Sequence, residues 1–338
     1  MARILILGGT RFLGRHIAEQ ALAAGHELTL LHRGVSTPGL FAQAQHLIAD
    51  RDLEGQLSVL QGQTWDSAID TSAYLPRQVQ QMAAALAGRV GLYQFVSSIS
   101  VYSAFDPLGT SEDAPLVALE DLATETVDSS TYGGLKALCE KEAQALFAGR
   151  CLVGRPGLLV GPHDPTGRFS WWVQRLLQGG DVLAPGDPDG PAQFIDARDA
   201  AAWMLLQAEH GTTGVFNLNG PDLPLTMGGL LGAAHQALNP QARLHWVDED
   251  FLLAQGVAPW SELPVWLPRA SADMHRIDCA RARQQGLLCR PLAQTLADIA
   301  AGLASALPLS AAPGPTRSAP GLAAAREAEL LQGWRSWA

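Results

Sequence analysis

Lysine is almost absent from this sequence of 338 residues. Of its 23 lysine and arginine residues only two, Lys136 and Lys141, are lysines, and with 33 acidic residues the formal net charge is −10. A broad basic surface for nucleic acid is therefore not expected. Charged residues make up 17% of the chain and hydrophobic residues 47%, a composition that excludes general disorder and a coiled coil. We expect a globular protein of about two domains.

Cysteine is scarce as well, and long apolar runs are missing. The four cysteines include no Cys-x-x-Cys pair, so we expect neither a bound metal nor a disulfide framework, and we expect a reducing, cytoplasmic location. The chain has no run of about 18 apolar residues that would predict a transmembrane helix. The apolar run in MARILILGG is too short for the core of a signal peptide, so no membrane partner is expected.

Strand and helix patterns alternate along the first half of the chain. Short apolar runs predict strands at residues 4–7, 27–31, 46–49, 67–70 and 91–96. Helical patterns occur at residues 14–24, after Pro76 and at residues 132–147. Such alternation is typical of a parallel sheet covered by helices on both faces. The first strand, turn, helix and second strand form the opening unit of a nucleotide-binding sheet.

The pattern becomes irregular after Arg155. Two later strands, at residues 194–196 and 215–218, are interpreted as returning to the first sheet, so we expect interleaved domains. The predicted fold class is α/β, a Rossmann doubly wound parallel sheet with a smaller C-terminal substrate domain. The predicted segments are a Rossmann domain at 1–155 and about 190–220, a substrate domain at about 156–190 and 221–305, a linker at 306–321 and a C-terminal helix at 322–338.

The turn after the first strand is predicted to bind the pyrophosphate of a dinucleotide. It consists of Gly8, Gly9, Thr10, Arg11, Phe12, Leu13 and Gly14. In such a turn the glycines permit a sharp bend, a close approach of backbone to the pyrophosphate and close packing of the helix. The helix N-terminus then presents N–H groups to the anion. The pattern lacks the middle glycine of GxxGxxG, and a purely structural turn is the alternative interpretation.

The end of the second strand favours NADP over NAD. NAD sites place an Asp or Glu there to accept a hydrogen bond from the ribose 2′-hydroxyl, but this sequence has His32 and Arg33. The guanidinium groups of Arg33 and Arg11 would bind a 2′-phosphate, unless they are solvated surface charges. Asp50 and Arg51 are expected at the adenine end of the cofactor. Further along its path we expect Thr71, Ser72 and Ala73.

A tyrosine and a lysine four residues apart form a candidate catalytic pair. Tyr132 and Lys136 fall on one face of a predicted helix. The ammonium would lower the phenol pKa from about 10, which suits a general acid or base at neutral pH, and could also bind the nicotinamide ribose. Ser97 and Ser98 end the fifth strand and offer a hydroxyl to the substrate oxygen. The tyrosine could instead be a half-buried packing residue, but the scarcity of lysine favours the catalytic interpretation.

Six motifs occur in an order that resembles one protein family. They are GGTRFLG, the pair Asp50-Arg51, SSISVY, YGGLK, RPGLLVGP and FIDARD. With them the sequence resembles the extended short-chain dehydrogenase/reductase superfamily, in its NAD-dependent epimerase/dehydratase group, over roughly residues 3–300. The glycine-rich turn is similar to that of an atypical subgroup. Members of that subgroup have been called isoflavone reductases, sugar epimerases or chloroplast stem-loop RNA-binding proteins.

The resemblance implies a particular site. Its active triad would consist of Ser98, Tyr132 and Lys136. Ser98 is identified as the serine four residues before Tyr102. The resemblance also implies that Arg155 and Pro156 line the cofactor and that a C-terminal domain binds the substrate. Relatives often dimerise through helices of the large domain, so a homodimer is compatible with the resemblance and the oligomeric state stays open. Family members often carry an upstream asparagine that organises a proton-relay water, but the first asparagine here is Asn217, so this relay is expected to be absent or built from other groups.

Substrate contacts are expected from the SSISVY motif and from the region after Arg155. Tryptophan could stack on a sugar or an aromatic ring, and arginine could bind a phosphate or carboxylate. The candidates are Ser100, His163, Arg168, Trp171 and Trp172. Because the two tryptophans are adjacent in a predicted helix, at least one is expected to pack in the core. His163 could equally be a hydrogen-bonding residue of a loop.

These features predict an enzyme that uses NADP, or else NAD, at an alcohol or carbonyl carbon of a small molecule, such as a sugar or nucleotide sugar. An epimerase, a reductase and a dehydratase are all compatible with the resemblance. Ile99 and Ser100 stand where a dehydratase would carry an acidic pair, so dehydration is disfavoured. The alternative is a cofactor-sensing or RNA-associated binding protein of the same fold. The net charge of −10 argues against RNA as a partner.

Overall fold

A parallel sheet of seven strands organises the structure. The computed structural model describes residues 1–37, 39–305 and 320–337. The strands of these residues are β1 (Arg3–Leu7), β2 (Glu27–His32), β3 (Gln45–Ile48), β4 (Trp65–Asp70), β5 (Val90–Val96), β6 (Cys151–Pro156), β7 (Leu159–Val160), β8 (Asp181–Pro185), β9 (Pro191–Asp196), β10 (Gly214–Leu218), β11 (Gly220–Thr226) and β12 (Arg243–Val247).

Helices connect most of these strands. The α-helices of the described residues are α1 (Phe12–Ala23), α2 (Pro76–Ala85), α3 (Tyr132–Leu146), α4 (Arg168–Gln178), α5 (Ala197–His210), α6 (Met227–Leu238), α7 (Glu249–Ala254), α8 (Ala280–Gln284), α9 (Leu292–Ser305) and α10 (Ala324–Trp337). Short 3-10 helices occupy Gln56–Leu60, Ile99–Val101 and Arg269–His275. Pro76 begins α2, a position at which the missing N–H of proline costs no helical hydrogen bond.

The order of strands in the large sheet creates a crevice. It is β10-β6-β5-β4-β1-β2-β3, and every neighbouring pair is parallel. The chain adds β2 and β3 on one side of β1, then β4 and the later strands on the other side. At such a switch point the connections diverge and leave a crevice at the carboxyl ends of the strands. The Rossmann fold predicted from the alternating pattern is confirmed.

Helices cover both faces of the large sheet. α1 packs on α5 at one face, and α2 packs on α3 at the other. Ile4 and Ile6 of β1 belong to the core under the first pair of helices, whereas Leu5 and Leu7 belong to the core under the second pair. This is the two-residue alternation of a strand. Because both faces are covered, β1 is an unbroken apolar run.

A second lobe contains two small sheets. Strands β11, β9 and β7 form one sheet, and β12 and β8 pair in parallel to form the other. Helices α4, α6 and α9 pack together against these sheets. Their apolar side chains form a core that is separate from the two cores of the large sheet, with Phe169, Trp172 and Leu231 among its buried members.

The interpretation of residues 194–196 as a strand of the large sheet is wrong. β9 pairs with β7 and β11, whereas β10 joins the large sheet beside β6. Asp196 at the end of β9 accepts a hydrogen bond from the backbone N–H of Arg198 as the N-cap of α5, and α5 packs on α1. The chain therefore returns to the Rossmann domain at α5. A short apolar strand carries no pattern that identifies the sheet to which it belongs.

The C-terminal helix packs against the second lobe. Leu330 and Leu331 of α10 are buried in that lobe's core. The buried carboxylate of Glu327 lies 2.6 Å from the guanidinium of Arg175 in α4 and accepts a hydrogen bond from the backbone N–H of Leu183 at 2.9 Å. Of the expected linker, residues 306–319 lie outside the described residues. In the described part of the chain, no helix has both the length and the apolar character needed to cross a membrane.

Candidate active site

A cleft of about 620 Å³ opens where β1, β2, β4 and β5 end. Gly157, Leu159 and Pro165 close it from the side of the second lobe. The residues predicted from sequence that line the cleft are Gly8, Thr10, Arg11, Phe12, Leu13, Gly14, His32, Arg33, Asp50, Arg51, Thr71, Ser72, Ser98, Tyr132, Lys136 and Pro156. The structure thus brings the glycine-rich turn and the Ser-Tyr-Lys set to a single cleft.

The glycine-rich turn is shaped by close backbone contacts. Gly8 has a φ of +93°, a left-handed conformation that L side chains rarely adopt. A Cβ on Gly14 would lie 2.7 Å from the carbonyl oxygen of Gly8, and a Cβ on Gly9 would lie 2.5 Å from the Leu30 side chain. Gly9 therefore packs on β2 below the cleft. The N-terminus of α1, which has no acidic residue in its first turn, is left to face an anion.

The end of β2 is ordered by two histidines. Nε2 of His32 lies 2.8 Å from Nδ1 of His46, and the backbone N–H of Gly34 donates to Nδ1 of His32 at 3.0 Å. Burial and the neighbouring His46 lower the pKa of His32. Arg33, the residue between His32 and Gly34, has a side chain that is 67% exposed, and its guanidinium lies 4.0 Å from the carboxylate of Asp50. This end of the cleft thus carries both a guanidinium and a carboxylate.

Arg51 forms part of the cleft floor. Its guanidinium donates to both carboxylate oxygens of Asp70 at 2.8 and 3.0 Å and to Oγ of Ser72 at 3.2 Å. The hydroxyl of Tyr93 donates to the same carboxylate at 2.7 Å. Burial raises the pKa of Asp70, but the charge and hydrogen bonds of Arg51 outweigh it and hold that pKa below its ordinary value. Arg51 lines the cleft, as predicted, while its charge is balanced by Asp70.

Lys136 is buried at the inner end of the cleft. Its Nζ donates to the carbonyl oxygens of Ala73 at 2.7 Å and Val96 at 2.9 Å. It also lies 4.7 Å from the ring centroid of Tyr74 and 4.8 Å from that of Phe95. Burial lowers the pKa of Lys136 to about 8. Ala73 therefore contributes to the site by its carbonyl, which holds the lysine, and its side chain does not line the cleft.

The serines and Tyr132 lie beside this lysine. Tyr132 begins α3, one turn before Lys136. Ser98 caps the 3-10 helix Ile99–Val101, where its Oγ accepts a hydrogen bond from the backbone N–H of Ser100 and contacts Oγ of Ser100, both at 3.1 Å. Ser100 is thus held behind Ser98 and does not line the cleft. The local geometry gives Ser98 and Tyr132 access to the same cleft.

The described residues fit a nicotinamide dinucleotide. Ser97 lines the cleft, and its Oγ is buried without a hydrogen-bond partner in the described part of the chain. Such an atom is costly unless a ligand or water satisfies it. The tight glycine turn, the free end of α1 and the cations Arg11, Arg33 and Lys136 supply the other contacts that a pyrophosphate and a ribose require. Among the described residues, no cluster of three or more His, Cys, Asp and Glu could hold a metal ion.

The expectation that Arg155 lines the cofactor is wrong. Its side chain is buried, and its guanidinium binds both carboxylate oxygens of Glu140 at 2.9 and 2.6 Å. It also donates to the hydroxyl of Tyr102 and to the carbonyl oxygen of Glu112, both at 3.0 Å. A buried guanidinium needs such partners. Arg155 therefore braces α3 against the sheet, and of the pair only Pro156 reaches the cleft.

The proposed substrate contacts are also corrected by the structure. Trp172 is buried in the second-lobe core, where its Nε1 donates to the carbonyl oxygen of Pro264 at 2.6 Å, and Trp171 packs against the same core. The guanidinium of Arg168 lies over the ring of Trp260 at 5.7 Å. His163 has its ring 5.8 Å from that of His16. None of these four side chains lines the cleft: the tryptophans and Arg168 pack within the second lobe, and His163 packs against His16 of α1.

The cleft also contains residues that were not among the predicted site residues. They include Tyr74 and Gln78, which lie before and within α2, and Gly157, Leu159 and Pro165 on the side of the second lobe. Gly157 and Leu159 belong to the RPGLLVGP motif, so the motif itself was the available signal. Tyr74 follows the predicted segment Thr71 to Ala73 directly, and only its position after the strand could have indicated it.

The sheet, the glycine turn and the Ser-Tyr-Lys set together define an extended short-chain dehydrogenase/reductase. The sequence model of the NAD dependent epimerase/dehydratase family matches residues 4–218. The chain therefore belongs to this family. The match spans the large sheet through β10 and thus includes the glycine turn and the Ser-Tyr-Lys set.

One relative and two solved structures illustrate the similarity. The chloroplast stem-loop binding protein of 41 kDa b of Arabidopsis thaliana is 26% identical over 251 residues, which are 70% of this chain and 63% of that protein. The chain thus spans less than two thirds of this relative. UDP-glucose 4-epimerase of Thermotoga maritima, solved with UDP-glucose, has a TM-score of 0.68 at 15% identity and covers 89% of this chain and 98% of its own.

UDP-glucuronic acid 4-epimerase of Bacillus cereus, solved with UDP-glucuronic acid and NAD, has a TM-score of 0.65 at 15% identity. The match covers 89% of this chain and 99% of that one. At such identities these two likenesses concern the fold.

Replacing Gly14 with alanine is expected to lower the affinity for NAD and NADP by about tenfold or more. The added Cβ would lie 2.7 Å from the Gly8 carbonyl oxygen, so the turn that approaches the pyrophosphate must move. Gly232→Ala in α6 is the matched control, since a Cβ there meets nothing within 4 Å and alanine favours a helix. Isothermal titration calorimetry measures the affinities of both variants for NAD and NADP. Unchanged binding by a folded Gly14→Ala variant would show that the pyrophosphate lies elsewhere.

Proposed function

We propose that the protein catalyses epimerisation or reduction at an alcohol or carbonyl carbon of a small molecule, with Ser98, Tyr132 and Lys136 as its catalytic residues. The observation that carries the proposal is the convergence of these side chains on the cleft that contains the glycine-rich turn. A turn of this kind alone indicates nucleotide binding. A phenol next to a buried ammonium adds a group that can move a proton.

Each of the three residues has a distinct task. The nicotinamide, when bound, supplies the group that exchanges a hydride with the substrate carbon. Tyr132 takes the proton from the substrate hydroxyl, or returns it in the reverse direction. Ser98 holds the substrate oxygen by a hydrogen bond. Lys136 stabilises the phenolate of Tyr132 by its charge, which requires that the ammonium keep its proton.

The carbonyl oxygens of Ala73 and Val96 set the conditions under which Lys136 works. They hold Nζ in one place and favour its charged form, while burial opposes that form and lowers the pKa of Lys136 to about 8. A lowered lysine pKa means that the cation is present below this value and is lost as pH rises through it. Lys136 therefore stabilises the phenolate of Tyr132 at neutral and mildly acidic pH and loses this effect as the pH rises through about 8.

A sugar or a nucleotide sugar is the substrate class that we propose. The two solved epimerases contain UDP-glucose and UDP-glucuronic acid, and an epimerase of this kind needs only an alcohol carbon within reach of the nicotinamide and Tyr132. Dehydration is less well supported, because the two residues after the proposed catalytic serine are not acidic. They are Ile99, which is buried, and Ser100, which is held behind Ser98.

Tyr132→Phe is expected to lower turnover by about a hundredfold or more, because the phenol is the proton-transfer group. The ring is kept, so the affinity for the nicotinamide nucleotide should stay the same. The assay incubates the protein with NAD or NADP and a panel of nucleotide sugars and simple alcohols, and follows reduced nicotinamide and epimeric products by spectrophotometry and mass spectrometry. Full turnover by the variant would remove the proposed mechanism.

NADP is the cofactor form that we propose. Arg33 and Arg11 both line the cleft, and an exposed guanidinium whose nearest carboxylate is 4.0 Å away can turn to a phosphate at little cost. The opposing consideration is Asp50, whose carboxylate could accept the ribose 2′-hydroxyl of NAD. Its Oδ1 already accepts the backbone N–H of Asp52 at 3.0 Å.

The double substitution of Arg11 and Arg33 by methionine tests this preference. It is expected to weaken NADP binding by about tenfold or more, since charge-assisted hydrogen bonds to the 2′-phosphate are lost, and to leave NAD binding unchanged. Arg269→Met, which removes an exposed arginine of the second lobe, is the control. Calorimetry of the wild type, the double variant and the control with both nucleotides gives the six affinities. A wild-type protein that prefers NAD would refute the proposed preference.

Binding of an RNA stem-loop is the second candidate function, and the name of the Arabidopsis relative favours it. The chain's net charge of −10 opposes it, because RNA binding draws most of its affinity from phosphate contacts. We expect no binding of a stem-loop RNA in a fluorescence titration at physiological salt. Tight binding that weakens steeply with added salt would favour the second candidate over a purely metabolic enzyme.

A further inference from the structure

Tyr74 is a residue of the cleft to which neither the motifs nor the triad assign a role. It follows Ala73 in the connection between β4 and α2, lines the cleft and is 44% exposed. Its backbone N–H donates to Oε1 of Gln78 at 2.8 Å, which fixes its position at the start of α2. Its ring centroid lies 6.3 Å from that of Tyr132. The side chain therefore stands between open solvent and the catalytic pair.

The ring of Tyr74 is one of four groups that surround the ammonium of Lys136. Two are the backbone carbonyls of Ala73 and Val96, and the third is the buried ring of Phe95. Phe95 and Val96 belong to β5, and Ala73 belongs to the connection that follows β4. The face of Tyr74, 4.7 Å from Nζ, is the fourth, and Tyr74 is the most exposed of these four residues. A cation over an aromatic face is attracted by the electrons of the ring.

The charges near Lys136 leave the ammonium dependent on these neutral partners. On β4, the carboxylate of Asp70 is paired with Arg51. On α3, the carboxylate of Glu140 is paired with Arg155, and burial raises the pKa of the Cys139 thiol to about 12, so the thiol is uncharged. Each nearby carboxylate is thus balanced by an arginine. A buried ammonium in such surroundings loses stability whenever one of its partners is removed.

We propose that Tyr74 is a positioning residue that keeps Lys136 cationic beside Tyr132, and that it does so with the face of its ring and not with its hydroxyl. The effect on Lys136 is a property of the folded chain. Its consequence for turnover rests on the function proposed above. The proposal distinguishes attraction of the cation by the ring from simple exclusion of water. An apolar side chain without a ring would exclude water equally but would not attract a cation.

The chain itself supplies a direct test. Because Lys136 and Lys141 are its only lysines, full-length protein labelled with ¹³C and ¹⁵N in lysine gives two side-chain signals in NMR, and a Lys141→Arg variant assigns them. The titration of Lys136 is followed in the wild type, in Tyr74→Phe and in Tyr74→Leu. The exposed Lys141, on the same helix, provides the internal reference signal, and the backbone spectrum reports whether each variant is folded.

Tyr74→Phe keeps the ring and is expected to leave the titration midpoint of Lys136 unchanged. Tyr74→Leu is expected to lower that midpoint by about half a pH unit, since a cation–π contact is lost while the cover remains. An unchanged or raised midpoint in Tyr74→Leu overturns the proposal, because the ring would then act only as a shield. An equal shift in Tyr74→Phe overturns it as well, because the hydroxyl would then be the active group.

Activity separates this inference from the proposed function. In the turnover assay, the alkaline limb of the pH profile should move to lower pH in Tyr74→Leu and stay in place in Tyr74→Phe. A shifted NMR titration without any change in the alkaline limb would leave the positioning of Lys136 in place and would remove the catalytic role proposed for that lysine. A shift in both measurements supports the two together.

Discussion

The buried ammonium of Lys136 holds together the parts of the protein that form the inner end of the cleft. Its hydrogen bonds join helix α3 to the connection after β4 and to the end of β5, three segments that are distant in sequence. An ammonium buried this far from water could not remain charged without these hydrogen-bond acceptors. The first turn of α3, which carries Tyr132, is therefore tied to β5 and to the connection after β4 through the same two carbonyl groups.

The outer end of the cleft depends on backbone geometry instead. Gly14 approaches the Gly8 carbonyl so closely that no side chain fits between them, and this contact brings the N-terminus of α1 to the point where β1 and β4 diverge. The second lobe contributes small or apolar residues to the cleft, Gly157, Leu159 and Pro165. Charge thus comes mainly from the Rossmann domain, while the second lobe supplies shape.

The fold, and the meeting of the glycine-rich turn and the Ser-Tyr-Lys set in one cleft, could be predicted because both arise from local patterns. The alternation of strands and helices predicted the large sheet, and the spacing of Tyr132 and Lys136 predicted that both would face one way. The role of Arg155 could not be predicted in this manner. Its partner Glu140 is 15 residues away on a helix, and only the packing of that helix decides that the guanidinium turns from the cleft. Trp171 and Trp172 were substrate candidates of which at least one was expected in the core, and both pack there, since an aromatic side chain suits a core and a ligand equally well.

The two histidines at the end of β2 have a consequence for where protons can reside. The Gly34 N–H points at Nδ1 of His32, so that nitrogen carries no hydrogen and Nε2 must donate to Nδ1 of His46. Nε2 of His46 is then the donor to the carbonyl oxygen of Phe41 at 3.0 Å. Both rings are thereby fixed as neutral tautomers in a hydrogen-bond chain that runs in one direction. These hydrogen bonds link the end of β2 to β3 and to Phe41, and they fix the backbone on both sides of Arg33.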